Sequence, residues 1–286
     1  MTRRGEIPFS CAHAPLCDRL GGEPTEAFRH GASRALAAVE IATFGDLTWC
    51  GSRRHLSAAL RAHAEGASIV VPPALAVAFP ADARIWRHAC AGWVFAQLLE
   101  DARYVLPPPE IAADANIESG VLLARGVRVG AGASIGMGSA LGRAGFGLVD
   151  SPEGKPYRLP HLGGVEIGAG VSIGAYCTID AGVLLPTVLG DDCALDSHVH
   201  LGHNVTLGAR VRIAAQAGLA GSVEIGDDVW IGGQAGLADH VKVGAGARIA
   251  AKAGVIGDVP AGAVYAGYPA MPRLRWLRQH ARGRRP

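Results

Sequence analysis

Residues 189–255, written in sixes, run LGDDCA LDSHVH LGHNVT LGARVR IAAQAG LAGSVE IGDDVW IGGQAG LADHVK VGAGAR IAAKAG V. The first position of every group is a branched aliphatic: Leu189, Leu195, Leu201, Leu207, Ile213, Leu219, Ile225, Ile231, Leu237, Val243, Ile249 and Val255. With about a third of residues competent for that position, such a run is expected about once in several hundred thousand frames. The residue after each aliphatic is mostly Gly, Ala or Asp, and the residue four after it is mostly Val or Ala, as in Leu207-Gly208 followed by Val211. A helix needs apolar residues three and four apart, and an ordinary strand alternates over only a few residues. A chain that turns a corner every six residues instead makes a triangular coil of about eighteen, points each register residue inward and stacks its coils on one continuous core. The small residue after the aliphatic suits the corner, where a bulky side chain or a disfavoured φ is costly. The expected fold is mainly β, a left-handed parallel β-helix of hexapeptide repeats.

Outward from this stretch, Ile111, Ile117, Leu123, Val129, Ile135 and Leu141 keep the same step, and Ile167, Ile173 and Ile179 form a short ladder between the two. Gly142 to Gly164 breaks the register with Gly, Pro and charged residues, so a loop leaves the coil there. Residues 1–105 lack the six-step. They mix helix-like stretches (Glu26 to Ile41, His55 to Gly66, Trp93 to Tyr104) with strand-like ones (Ser68 to Val71, Ala83 to His88), which predicts a small α/β domain. Pro107-Pro108-Pro109 is a stiff linker. The expected domains are residues 1–105, a β-helix over 106–268 with the loop at 142–164, and a basic helical tail over 269–286.

Forty glycines, 49% hydrophobic and 18% charged residues in 286 suit a tightly stacked solenoid. The longest apolar runs, such as Ala67 to Pro80, are short and interrupted by proline, and Met1 to Gly22 holds no apolar segment of signal-peptide length. No integral membrane segment is expected, and residence is expected to be cytoplasmic. The six cysteines form no Cys-x-x-Cys pair and read as reduced thiols. Six arginines and no acid lie between Met271 and Pro286, so the net +2 leaves about +2 − 6 = −4 on the rest of the chain. That tail, with Arg273, Arg275 and Arg278, is either a solvated end or a docking patch for an acidic partner. No nucleic-acid partner is expected.

Chemistry on a smooth prism must come from side chains that break its pattern. A residue eighteen further on sits one rung along, about 4.8 Å away. His203 plus eighteen is Gly221, and plus thirty-six is Asp239, which puts His240 one residue beyond the same column. The stripe holds a base, a glycine N–H for a developing oxyanion and a second imidazole that donates to a substrate oxygen. Asp196, seven residues back, is expected to hold the tautomer of His203. Solenoids of this kind are usually trimeric prisms with sites between neighbours. His198 and His200 read first as solvated surface residues. The cluster His198, His200 and His203 leaves a zinc reading open, because the γ-class carbonic anhydrases build a three-histidine site at subunit interfaces.

Phe146 within Gly145-Phe146-Gly147, Leu159-Pro160-His161-Leu162-Gly163, Cys177-Thr178-Ile179-Asp180, Thr187-Val188-Leu189-Gly190, Leu195-Asp196, Leu201-Gly202-His203-Asn204-Val205, Ala220-Gly221-Ser222 and Ala266-Gly267-Tyr268-Pro269-Ala270 with Trp276-Leu277-Arg278 follow one another in this order. Over residues 107–279 this series resembles the UDP-3-O-acylglucosamine N-acyltransferases of lipid A biosynthesis. Phe44-Gly45-Asp46-Leu47-Thr48-Trp49 and the Val70-Val71 strand are similar, more weakly, to that family's uridine-binding domain.

The resemblance implies transfer of a 3-hydroxyacyl chain from an acyl carrier protein, with acyl-CoA as the variant donor, to the amine of a nucleotide-linked amino sugar, by a homotrimer that uses no metal and no cofactor. It implies His203 as general base, Asp196 as its orienting partner, Gly221 as oxyanion donor and His240 as second groove histidine. Trp49, Ser52, Phe146, His161, Asp180, Asn204 and His200 are implied as substrate contacts, and Arg273, Arg275 and Arg278 as contacts to the acidic carrier. The departures fall on the acceptor side. The family usually reads Ile-Asp-Arg-Gly where this chain has Ile179-Asp180-Ala181-Gly182, an aspartate where Pro186 stands, and Gly-Ala-Asp-Gly-Phe-Gly where Gly142-Arg143-Ala144-Gly145-Phe146-Gly147 stands. The asparagine expected after Trp49 is replaced by Gly51-Ser52, about one coil is missing before Gly142, and the C-terminal helix is short. An acceptor other than the lipid A precursor, a zinc-dependent hydratase and a non-catalytic nucleotide-sensing scaffold are the alternatives.

Overall fold

The computed structural model describes residues 5–283, with side chains over residues 5–279. The chain divides into two compact units, Met1–Val105 with Gly147–Pro160, and Leu106–Phe146 with His161–Pro286.

The second unit is a left-handed parallel β-helix whose three faces are sheets of seven, nine and seven short strands. Successive coils pair at the expected eighteen: Leu189, Leu207, Ile225 and Val243 are direct partners on the first face. Every register aliphatic from Leu189 to Val255 is buried, and so is the residue four further on, as with Val205, Val211 and Val223. Each such side chain contributes about 1.5–3 kcal/mol of burial, and the coil is too short to gain it without its neighbours.

Where the residue after the aliphatic is glycine, crowding is the cause and φ is not. A Cβ on Gly190 would lie 2.5 Å from the Gly208 carbonyl oxygen, and one on Gly202 would lie 2.8 Å from the Gly221 nitrogen. Backbone of the next coil therefore excludes the side chain. The left-handed φ falls two residues later, on Asp192, His198, Asn204, Arg210, Gln216, Ser222, Asp228, Gln234, His240 and Lys252, at 56–62°. Asn, Asp and His tolerate this region best, and each position costs about 1 kcal/mol or more. Hydrogen bonds to the coil below offset it, as in His198 N–H to Ala175 O at 2.9 Å.

Up to Val255 the step of eighteen fails twice, at the corner that follows the third face. Leu141 pairs with Ile179, thirty-eight residues on, and Ile179 pairs with Leu201, twenty-two on. Twenty residues are thus inserted after Leu141 and four after Ile179. The longer insertion carries a hairpin, Leu148–Asp150 against Pro156–Arg158. Its residues 147–160 group with the N-terminal unit, which corrects the expected boundary. Tyr157 Oη donates to Glu100 Oε2 at 2.6 Å, and a Cβ on Gly92 would lie 2.8 Å from Val149 Cγ1, so the hairpin packs on the helix Ala91–Asp101.

The N-terminal unit is α/β, with a six-stranded mixed sheet in the order Glu6–Ala12, Ala32–Ala37, Asp46–Trp49, Ser68–Val71, Ile85–Arg87, Glu23–Pro24. Only Glu26–Arg29 of the stretch expected to be helical is helix. Ala32–Ala37 is a strand with partners on both sides, and this pairing overrides the helix propensity of its Ala, Arg and Leu. The tail forms a helix over Arg273–Gly283. No helix among the described residues is long and apolar enough to cross a membrane.

Candidate functional site

Both insertions and His203 share one corner on three consecutive rungs, because Leu141, Ile179 and Leu201 are stacked partners. A cleft of about 880 Å³ opens along this corner and the third face, lined in part by Phe146, Asp180, His200, His203, Gly221 and His240.

Asn204 sets the chemistry of His203. Its Nδ2 donates to Leu185 O at 2.7 Å, which fixes the orientation of the amide. Its Oδ1 accepts from Val183 N–H at 3.1 Å and lies 3.2 Å from His203 Nδ1. A carbonyl oxygen cannot donate, so Nδ1 carries the proton and Nε2 of the neutral ring is the free base. Nε2 in turn lies over the next rung: a Cβ on Gly221 would be 2.5 Å from it. The Gly221 N–H stays out of the coil-to-coil ladder, whereas its carbonyl accepts from His240 N–H at 3.0 Å. The column His203, Gly221 and His240 is thus assembled as its spacing predicts.

Asp196 is not part of this set. It stands at the preceding corner, beyond the second face, where its Oδ1 accepts from Ser197 N–H at 2.7 Å. Seven residues carry the chain along a whole face, so the two side chains of one chain leave from different corners. Asn204, expected to touch substrate, has its amide committed to the loop 182–186 and to His203 and acts as the orienting group.

Asp180 lies beneath His203. Its side chain is 2% exposed, and its Oδ1 is 2.9 Å from Arg143 Nε. Oδ2 lies 3.9 Å from His200 Nε2, and His200 Nδ1 is 2.7 Å from Thr178 Oγ1. Burial raises the Asp180 carboxyl above the usual range, opposed by the positive charges of Arg143, His200 and His203. His161, buried, meets the His203 ring edge-on with centroids 5.2 Å apart. A Cβ on Gly145 would lie 3.0 Å from His203 Cβ, 3.1 Å from His161 Nε2 and 3.2 Å from Asp180 Oδ2, so a side chain there would press on all three. Arg143 was absent from the expected contacts; in the sequence it stood only beside Ala144, where the family's motif has its acid.

Beyond the base, Gly218, Gly236 and Gly254 are paired on successive rungs of the third face and line the cleft. A Cβ on Gly218 or Gly236 would meet nothing within 4 Å, whereas one on Gly254 would lie 1.9 Å from the Tyr268 ring. The result is a bare-backbone track that ends under Tyr268.

The remaining expected residues lie apart. Trp49 and Ser52 belong to the N-terminal unit, where the Trp49 ring stacks near Phe95 with centroids 6.0 Å apart and a Cβ on Gly51 would lie 2.3 Å from it. Ser52 Oγ is 3.2 Å from His55 Nδ1. Arg273, Arg275 and Arg278 are exposed on the terminal helix, and Arg284 and Arg285 fall outside the described residues. Among the described residues of one chain, no three His, Cys, Asp or Glu side chains group as metal ligands, so the zinc alternative needs ligands from another copy.

Residues 186–221 and 222–257 match the bacterial transferase hexapeptide family model. The UDP-3-O-acylglucosamine N-acyltransferase of Leptospira biflexa is 49% identical over 82 residues, 29% of this chain and 23% of that protein. The protein of the same name from a Caulobacter species is 43% identical over 140 residues, 49% of this chain and 41% of its own length. The solved structure of LpxA from Acinetobacter baumannii aligns with 62% of this chain and 74% of its own at 24% identity and a TM-score of 0.48. The matched stretch therefore spans between a quarter and two fifths of the curated relatives' length. The chain is a hexapeptide-repeat β-helix protein whose repeats are similar to those of UDP-3-O-acylglucosamine N-acyltransferases.

Proposed function

We propose that the chain is an N-acyltransferase that moves an acyl chain of the 3-hydroxyacyl class from an acyl carrier protein thioester to the amine of a nucleotide-linked amino sugar, of the UDP-3-O-acylglucosamine type. The observation that carries this reading is the pairing of His203 Nε2, made the free base by Asn204, with Gly221 on the next rung. The similarity to proteins named UDP-3-O-acylglucosamine N-acyltransferase supports it. In the proposed step the sugar nitrogen attacks the thioester carbon while Nε2 takes the amine proton. The charge that develops on the carbonyl oxygen meets the Gly221 N–H, and collapse expels the thiolate, which recovers its proton from His203. A positioned base is worth about 10²–10⁴ in rate, and an oxyanion donor about 10²–10³. The glycine track accommodates the extended chain of the donor, since it offers contact without side chains in the way. A homotrimer with its sites in the grooves between subunits, a cytoplasmic setting and docking of the acidic carrier on Arg273, Arg275 and Arg278 complete the reading.

The test is transfer from a 3-hydroxyacyl-loaded acyl carrier protein to UDP-3-O-acylglucosamine by wild type and His203→Ala. Loss of at least about a hundredfold in rate with an unchanged melting temperature is expected. Equal rates would refute the role of His203.

A further inference from the structure

Arg143 sits on the strand Ala140–Ala144, opposite Asp180 on Thr178–Ala181, just past an irregularity between Leu141 and Arg143. Irregularities of this kind re-aim the side chains that follow them. The result here is an ion pair between Arg143 Nε and the buried Asp180 Oδ1. A buried carboxylate is costly to desolvate, and an apolar pair of similar volume often serves stability as well, so the pair points to a task other than stability. The geometry shows the task. Asp180 and Phe146 line the cleft, and the strand that carries Arg143 runs on through Gly145 against His203. The guanidinium meets Asp180 through Nε while the Arg143 side chain remains 58% exposed, so it keeps donors open to solvent next to a residue that lines the cleft. Ala181, its neighbour on the paired strand, offers no second cation.

We propose that Arg143, braced by Asp180, is an oxyanion clamp that takes a phosphate or carboxylate group carried by the acceptor. A guanidinium fork matches the two oxygens of such a group, which a lysine ammonium does not. Formal charges around the cleft balance, Asp180 and Asp239 against Arg143 and Lys252, so no net negative charge opposes an anion there. The clamp rests on the acyl-transfer reading only in calling its ligand an acceptor.

Calorimetric titration of the full chain with three probes tests it. UDP-N-acetylglucosamine supplies a diphosphate, glucuronic acid supplies a carboxylate, and N-acetylglucosamine is the neutral control. Arg143→Gln is expected to weaken an anionic probe by about ten- to a hundredfold and leave the neutral sugar unchanged, with Arg143→Lys recovering only part. Loss confined to the UDP-sugar assigns the phosphate, and loss confined to glucuronic acid assigns the carboxylate. The double variant Arg143→Gln/Asp180→Asn removes the buried pair together and reports the same loss without a stranded carboxylate. Equal affinities in wild type and both glutamine variants would overturn the proposal. So would a wild type that binds neither anionic probe more tightly than the neutral sugar. Failure of the acyl-transfer reading would appear differently, as absent turnover with the binding difference intact.

Discussion

Gly236→Leu separates the track from the fold. An added Cβ at this position meets nothing within 4 Å, and its φ lies outside the left-handed region, so the β-helix tolerates a side chain there. Replacing a strand glycine reduces the entropy of the unfolded chain, and the expected change in melting temperature is zero or slightly upward. Gly218 pairs with His200 and Gly236 with Gly218, so the leucine stands two rungs, about 9.6 Å, along the track from the rung of His203. A donor chain turned aside there forfeits contact over at least one further rung, which spans about four methylenes. At about 0.8 kcal/mol for each methylene the loss is about 3 kcal/mol, or about a hundredfold in kcat/KM. A donor chain too short to pass Gly236 loses nothing. The assay compares wild type and Gly236→Leu with short-chain and long-chain acyl donors, alongside thermal melting and sedimentation to check assembly. An equal loss for both donors, or none for the long one, would refute the track as the seat of the donor chain.

Asn204→Ala strands Val183 N–H and Leu185 C=O, each at about 1–3 kcal/mol, and frees the His203 ring. Denaturant titration is expected to show a loss of several kcal/mol together with lower transfer, and unchanged stability would contradict the network. Burial raises the Asp180 carboxyl in the folded chain, so its contribution to stability is fully present below the ordinary carboxylate pKa and is lost as pH rises through the raised value. The stability of wild type relative to Asp180→Asn, measured across that window, should therefore fall with pH, and a rising difference would reverse the assignment. Burial pushes the Cys17 thiol up to about 11 and also raises Cys50, Cys177 and Cys193. Reaction with a chromogenic disulfide at pH 8 should leave these four thiols protected until the chain unfolds, and rapid labelling of any of them in the native state would contradict their burial.

The β-helix was legible because one period repeats over many coils and each repeat has the same task, to bury an aliphatic. His203, Gly221 and His240 were legible for the same reason, since they lie where the step of eighteen holds without interruption. Asp180 and Arg143 were not. Four inserted residues separate Ile179 from its partner Leu201, and twenty separate Leu141 from Ile179, so no fixed interval could bring either residue beneath His203. The Asp196 expectation takes sequence nearness for nearness in space, whereas within one chain a corner separates it from His203. Gly218, Gly236 and Gly254 stood eighteen apart in the sequence and went unread, because a glycine ahead of the aliphatic looks the same whether it is forced by packing or left open for a ligand.

That last distinction is one of contact rather than composition. Gly190 and Gly202 are glycine because backbone of the next coil occupies the space of a side chain, whereas Gly218 and Gly236 have nothing in that space. The first kind maintains the stack, and a substitution there must push two coils apart. The second kind contributes nothing to the stack, costs unfolded-state entropy and leaves backbone bare in the cleft on successive rungs. The same logic separates the two histidines at the corner. His240 adopts the left-handed backbone that recurs once in each six, as Asn204 and Ser222 do on the rungs below it. His203 stands one residue earlier, outside that region, where its ring crosses to the glycine of the next coil. Two imidazoles two rungs apart thus enter the cleft from different backbone settings.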